Sequence, residues 1–373
     1  MSGTSMDGLD IVCVEFTYTN RLNYRVIASQ TLAYTSEWKS KLSNAFHLNE
    51  SLLTLLDLEY GIWLGTMVNE FIKTKNLSAH LIASHGHTVF HQPKNKISLQ
   101  IGNGQKLFDQ TKIPVVNNFR QQDVMLGGQG APLVPMGDEL LFSEFNYCLN
   151  LGGFSNISWN HSKQRRACDL SPCNILLNAI CQRIQINFDD QGLLASKGNI
   201  LNELLTKWNA IPFYTQAPPK SLGREWFELN FLSDIQNTNY KVEDLLATSV
   251  QHISFQINQF IHNTQLENSA TNTPSKEISC LVTGGGAYNQ YLMKQLQENS
   301  LNGLNYVLPK NELIDFKEAI LFALLGYLRW NNEINVLASV TGATKDHCSG
   351  AVSYTHLRAH ETDSYLVCRL LLE

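Results

Sequence analysis

Ile11–Tyr18 (IVCVEFTY) is apolar through Val14 and alternates polar and apolar from Glu15 to Tyr18, and together with Tyr24–Tyr34 it predicts two paired strands. From Leu52 to Lys75 the apolar positions recur every three or four residues, the spacing of a helix, with Asn76 as its stop. Short apolar runs at Leu81–Ser84 and Ile113–Asn117 read as further strands. The first leads into His85-Gly86-His87, and the second into Phe119–Pro135, a segment rich in Gly, Gln and Pro that predicts an irregular loop. A helix is expected over Glu139–Phe145, then a strand over Tyr147–Leu151 running into Gly152-Gly153. Ile278–Thr283 repeats the pattern, ending in Gly284-Gly285-Gly286 with a helix from about Gln290. The polar stretch Asn263–Lys276 predicts a surface loop. Strands that end in glycine turns, interleaved with helices, imply an α/β fold that holds ligands at the carboxyl ends of its strands.

A chain of 373 residues outgrows a single core, so two lobes are expected: residues 1–134, then 135–352 with a C-terminal segment returning toward the first lobe. Residues 353–373 stand apart. Ser353–Thr362 (SYTHLRAHET) resembles the read-through translation of a transposon-type sequencing adapter, and the tail is expected to make little contact with either lobe; the alternative is a terminal helix through Leu366–Leu372. At the other end, the glycine-rich turn Ser2–Leu9 has no strand before it, so a truncated first strand is expected. Apolar residues make up 43% and charged residues 16%, the balance of a globular protein. A net charge of −5 gives no basic stripe and argues against nucleic acid as a partner. No apolar run approaches the roughly 20 residues needed to span a bilayer, and the polar residues directly after Met1 do not read as a secretory signal. The eight cysteines sit mostly in apolar segments; Cys168 and Cys173, the close pair, lack a second pair at zinc spacing. Reduced thiols in a cytoplasmic protein are expected.

Three glycine turns carry the candidate chemistry. Gly3-Thr4-Ser5-Met6-Asp7-Gly8-Leu9-Asp10 combines glycines, which let backbone N–H groups approach phosphate oxygens, with donor hydroxyls and with carboxylates; Asp7 suits Mg²⁺, directly or through water. Alone, such a cluster is equally a plain turn. Gly152 and Gly153, with Asn156 beyond them, form a second turn. Gly284, Gly285 and Gly286, with Asn289 beyond, form a third, whose bare backbone suits a flat base and ribose. Asp169 follows Arg165–Cys168 and precedes Pro172 and Asn174, which would open a helix through Leu176; it reads either as a cleft-facing carboxylate or as a helix cap. Arg120 and Asp123 lie in the irregular loop. The planar fork of Arg120 suits a carboxylate or a phosphate, the alternative being a surface ion pair. His85, His87 and His91 share one loop with no Cys, Asp or Glu close by, which favours structural or sugar-binding roles over metal. Gly223-Arg224-Glu225 follows the turn Pro218-Pro219-Lys220 and reads as a phosphate-side contact. Glu318 is expected to begin a helix with a buried face of Ala319, Leu321, Phe322 and Leu325, either facing the substrate or serving the helix dipole.

Three such turns in this order resemble the two-lobed, actin-like (RNase H-like) ATPase and sugar kinase superfamily. The stretches MSGTSMDGLD, SHGHTVFH, LQIGNG, NNFRQQDVMLGGQGAPLVP, NLGGFSNIS, PKSLGREWF, VTGGGAYN and SVTGAT are similar, from Ser2 to about Val352, to the 1,6-anhydro-N-acetylmuramic acid kinases of bacterial cell-wall recycling. The resemblance implies an ATP- and Mg²⁺-dependent enzyme, a homodimer, that adds water across the 1,6-anhydro bridge while phosphorylating the freed oxygen. It implies Asp169 as the base for water, the first two glycine turns as phosphate clamps, and Arg120, Asp123, His87 and Glu318 on the sugar side. The family's motif at the base is closer to Asp-Thr-Gly-Pro-Gly-Asn, against Asp169-Leu170-Ser171-Pro172-Cys173-Asn174 here, and a later family aspartate is Asn178. Within this reading the alternatives are a superfamily kinase for another amino sugar, or a nucleotide-driven switch without catalysis.

Overall fold

The computed structural model describes residues 1–2, 8–236, 238–269, 278–301 and 303–354, the side chains of 267–269 excepted. The Gly3–Asp7 part of the first turn and the segment 355–373 lie outside the described residues.

Strands β1 (Gly8–Tyr18) and β2 (Leu22–Ala33) pair antiparallel, Gly8 opposite Ala33 and Tyr18 opposite Leu22. The helix Glu50–Thr74 follows, capped by Asn49, whose side chain accepts the Leu52 N–H. Strand β3 (Ile82–Ala83) precedes a hairpin of β4 (His87–Gln92) and β5 (Ile97–Ile101). Strand β6 (Val115–Asn117) runs parallel to β3. The expected irregular loop contains a short helix, Gln121–Met125, and the next helix is Pro135–Leu141, four residues earlier than the apolar pattern suggested. The shift follows from Pro135, whose fixed φ suits a first helical position.

Beyond it a second sheet carries the larger core. Strands β7 (Tyr147–Leu151), β8 (Phe154–His161), β9 (Gln164–Pro172), β10 (Ile278–Thr283) and β11 (Leu304–Val307) are ordered β11-β10-β7-β8-β9. β10 runs parallel to both neighbours, β7 and β11, while β8 and β9 are antiparallel additions. The helix Val242–Ser269 buries Leu245, Leu246, Val250, Ile253, Ile257 and Ile261 in this core. It thereby overturns the expected loop from Asn263: the stripe of buried positions continues to Thr264, and polar residues do not stop a helix whose face is already committed. Residues 270–277 lie outside the described residues.

A second cluster joins the halves. Val116 and Phe119 from the N-terminal half meet Met136, Cys148 and Leu281, with Ile320, Leu321, Leu324 and Leu328 of the helix Asn311–Trp330 laid across them. The chain then returns: β12 (Ala351–Ser353) pairs antiparallel with β6, so Ser353 belongs to a sheet, opposite Val115, and is not part of a detached tail.

Candidate active site

The second and third glycine turns meet at the ends of β7 and β10. A Cβ on Gly284, whose φ is +83°, would come within 2.5 Å of Asn150 Oδ1; one on Gly286 would come within 2.7 Å of Leu151 Cβ. Those two glycines are required by the close approach of the turns. Gly285 is exposed, and a Cβ on Gly153 would meet nothing within 4 Å, so these two present bare backbone to open space. The Gly152 and Gly153 carbonyls accept the N–H groups of Cys173, Asn174 and Ile175, which seats the second turn on the N-terminus of the helix Asn174–Cys181. The Asn174 side chain donates to the Leu151 carbonyl at 3.0 Å and lies beside Gly285 and Gly286 of the third turn. Asn289 is buried and caps the helix Gln290–Glu298, accepting the Leu292 N–H at 2.9 Å, so its oxygen is already engaged.

Asp169 lies inside β9, not ahead of a helix, and the following helix begins at Asn174. That removes the capping alternative. A register shift falls here: Ser155 opposes Ser171 and Asn156 opposes Asp169, leaving Leu170 as the extra residue of a bulge, a device that re-aims neighbouring side chains. Cys168 and Leu170 face the core, Asp169 the other side, and Asn156 is its direct cross-strand partner. The Leu222 N–H donates to Asp169 Oδ2 at 2.7 Å; no described residue hydrogen-bonds Oδ1. Burial raises the carboxyl to about 6, against the pull of the Leu222 bond.

The N-terminal half gathers a second group. Arg120 donates from Nε to His85 Nε2 at 3.0 Å and from a terminal nitrogen to the Gly130 carbonyl at 2.8 Å, and lies over the Phe322 ring. His85 Nδ1 is 3.0 Å from the Gly86 carbonyl, so Nδ1 carries the proton and Nε2 accepts. Burial and the adjacent Arg120 hold that imidazole well below its usual range, hence neutral. Burial also lowers the Arg120 guanidinium to about 10, opposed by Glu318. Glu318 stands about two turns into the helix Asn311–Trp330, which rules out both its expected place at a helix start and a first-turn dipole role. It is open to water yet recessed, and its carboxyl is raised by burial against Arg120, with Asp10 adding to the rise. Asp10 on β1 accepts the Thr31 hydroxyl at 2.6 Å, and its carbonyl accepts the Met1 amino group.

Two expected sugar-side residues are otherwise occupied. Asp123 is fully buried and takes the Gly130 N–H at 2.6 Å and the Thr341 hydroxyl at 2.7 Å, with His347 Nε2 3.6 Å away. It clips the Gly127–Gly130 loop to the helix Ala338–Thr341, and the same loop's Gln129 N–H donates to the Thr341 carbonyl. His87 is buried, its Nδ1 3.1 Å from Ser2 Oγ, which accepts from Tyr34; Tyr60 completes this hydroxyl chain. His87 therefore anchors the start of the first turn. Leu9 is buried in the core beneath it, and Gly8 is pressed against the Leu32 carbonyl. Arg224 pairs on the surface with Glu228. Among the described residues no group of three or more His, Cys, Asp or Glu side chains forms a metal site, and Asp7 lies outside them.

One helix touches both groups. Asp315 accepts the Tyr288 hydroxyl of the third turn at 2.7 Å, while Glu318, one turn on, faces Arg120 and Asp10. The N-terminal loop and the glycine turns of the five-stranded sheet thus share one wall. An α/β fold with glycine turns at parallel strand ends, beside a recessed carboxylate of raised pKa, defines a two-lobed kinase for a small polar substrate.

Comparison with known proteins narrows the class. The model of the family "Anhydro-N-acetylmuramic acid kinase" matches residues 1–355. An anhydro-N-acetylmuramic acid kinase of Bacillus thuringiensis subsp. konkukian (strain 97-27) is 32% identical, covering 96% of this chain and 98% of the relative. Its counterpart in Bacillus cereus (strain AH820) is also 32% identical, over 95% and 98%. Among solved structures, a ROK family glucokinase from Streptomyces griseus in complex with glucose and AMPPNP matches at TM-score 0.37 and 8% identity, over 85% of this chain and 99% of that one. A hexokinase from Schistosoma mansoni complexed with glucose gives 0.35 and 9%, over 85% and 83%. The chain belongs to the anhydro-N-acetylmuramic acid kinase family and is an ATP-using sugar kinase of cell-wall recycling.

Sequence reasoning missed the carboxylate of Asp138, which meets Lys317 Nζ at 2.8 Å and Arg165 at 3.8 Å. The signal was there: Ile314, Lys317, Leu321, Leu324 and Leu328 follow one helical stripe, and a lysine in a buried stripe demands a buried partner. Residues 220–222, which hold Asp169, carry no such periodic signal.

Proposed function

We propose that Asp169 is the base that activates water for opening of the 1,6-anhydro bridge. Water attacks the anomeric carbon and gives its proton to Asp169 Oδ1. The bond from that carbon to O6 breaks, O6 takes the γ-phosphoryl group, and ADP leaves. The observation that carries the reading is the Asp169 carboxyl itself. It is raised to about 6, with one oxygen held by Leu222 and the other without a described partner, which is how a base near neutral pH is prepared.

The phosphates lie between Gly3–Asp10 and Gly152–Asn156, the nucleoside on Gly285, and Arg120 binds the lactyl carboxylate or the transferring phosphoryl. Mg²⁺, held by Asp7, would neutralise phosphate charge when bound. Asp123 and His87 act on the site indirectly, through the loops they fix. A homodimer in the cytoplasm, where ATP is kept, completes the reading; no described helix is long and apolar enough to cross a membrane. Asp169→Asn keeps the shape and the Leu222 bond but takes no proton. Turnover should fall roughly 10²–10⁴-fold with ADP affinity unchanged. Turnover within threefold of wild type would end the assignment.

A further inference from the structure

The Asp169 carboxylate is held by a segment far along the chain. β9 is an edge strand of its sheet, and residues 220–222 bond to that edge: the Asp169 N–H donates to the Lys220 carbonyl at 3.0 Å, and the Leu222 N–H to Oδ2 at 2.7 Å. One short strap therefore fixes both the main chain and the side chain of this residue. What fixes the strap is Lys220. Its ammonium donates to the Phe213 and Tyr214 carbonyls at 3.2 and 3.3 Å and sits 4.7 Å above the Phe213 ring.

That anchor is itself secured from the core. The Tyr214 hydroxyl lies 2.8 Å from His252 Nε2, and His252 Nδ1 lies 2.7 Å from Asn209 Oδ1, which also accepts from Gln256. An amide oxygen only accepts, so Nδ1 carries the hydrogen and Tyr214 donates to Nε2. Burial lowers the His252 imidazole to about 3, so the chain keeps one orientation throughout the working pH range. Two neutral backbone carbonyls facing a half-buried ammonium hold a loop but contribute no ion pair, so Lys220 is placed to clamp.

We propose that Lys220 is a positioning residue: by clamping the 213–222 strap it keeps the Leu222 N–H on Asp169 Oδ2 and leaves Oδ1 aimed at the water. This rests on Asp169 being the base, and the test separates the two. The titratable neighbours are Cys168 on β9, whose thiol burial raises to about 12, and Lys220 on the strap.

The full chain, labelled with ¹⁵N-leucine, is titrated by NMR. In the wild type the Leu222 amide should follow a carboxyl with a midpoint near 6. Lys220→Met should abolish that response and lower kcat on the order of 10- to 100-fold, with KM for ATP within about twofold. Lys220→Arg, which keeps charge and donors, should restore the response and most of the turnover. Loss of the Lys220 charge alone would move the midpoint without abolishing the response. A Leu222 amide silent to pH in the wild type, or Lys220→Met with both response and kcat intact, overturns the proposal; the wild-type titration decides even if Lys220→Met does not fold. An active Asp169→Asn enzyme beside a responsive Leu222 amide would instead overturn only the assignment of the base.

Discussion

At the scale of a residue, the buried carboxyl of Asp169 makes stability depend on pH. Its carboxyl is raised from 3.8 to about 6, so the folded protein binds that proton more tightly than the unfolded chain does. The favourable contribution is present below about pH 4 and is lost as pH rises through 6; above that, the ionised group weighs against the fold. Asp169→Asn is therefore expected to be more stable than wild type at pH 8. Discounted for partial exposure, the gap is on the order of 1–2 kcal/mol, and it should shrink toward zero below about pH 4. Urea unfolding at the two pH values measures it; an Asn variant less stable at pH 8 would show that the carboxylate is a structural asset. If Asp169 is the proposed base, the same ionisation should set the acid limb of kcat/KM near pH 6, with activity falling as Asp169 takes up its proton. His85 behaves oppositely: lowered by burial, it stays neutral and keeps Arg120 in place across that range.

At the scale of an element, the glycine turns separate into two kinds that sequence alone treats alike. Gly286→Ala places a Cβ 2.7 Å from Leu151 Cβ on a central strand with little room to yield. It should cost about 1–3 kcal/mol of stability. Gly153→Ala meets nothing within 4 Å and should leave stability within about 0.5 kcal/mol, while raising KM for ATP about tenfold by filling the space a phosphate would occupy. Unfolding and steady-state kinetics on the pair check this; equal stability losses would refute the distinction. The second and third turns were legible because each strand-to-glycine transition is local. So were β1 and β2, whose β-branched and aromatic residues pack against the two neighbouring clusters. What escaped the sequence depends on distant partners. The helix through Ser269 continues because a core lies beneath it, and Asp123 looks available until Thr341, more than two hundred residues later, occupies its oxygen. The helix expected from Pro172 and Asn174 does begin at Asn174, but β9 runs through Pro172, so Asp169 lies within a strand and too far from that helix to cap it.

At the scale of the molecule, the helix Asn311–Trp330, which lies across the apolar cluster between the halves, rests on a buried group of charges. We propose that the lobes divide at Pro135, where a helix crosses between them carrying Asp138. Asp138 is ion-paired with Lys317 at 2.8 Å and accepts from the Ser158 hydroxyl at 2.5 Å; Arg165 donates to the same Ser158 hydroxyl at 2.8 Å, and Glu139 lies 3.8 Å from Arg165. Burial opposes the Lys317 charge, but Asp138 outweighs it, and the ammonium is held above its usual range. Lys317 precedes Glu318 on the same helix, so the buried charges lie next to a residue of the candidate site. A buried pair contributes little net stability against an apolar pair of similar volume, yet breaking it from one side is severe. Asp138→Leu leaves Lys317 and Arg165 facing each other without their carboxylate and should cost about 3–5 kcal/mol. Asp138→Leu with Lys317→Met removes the orphaned ammonium and should recover a large part of that loss, with Arg165 still able to turn to Glu139. Denaturant unfolding of both variants and of Lys317→Met closes the cycle. Strictly additive losses would mean that Asp138 and Lys317 do not depend on each other, and that packing of Leu321 and its neighbours alone holds the halves together.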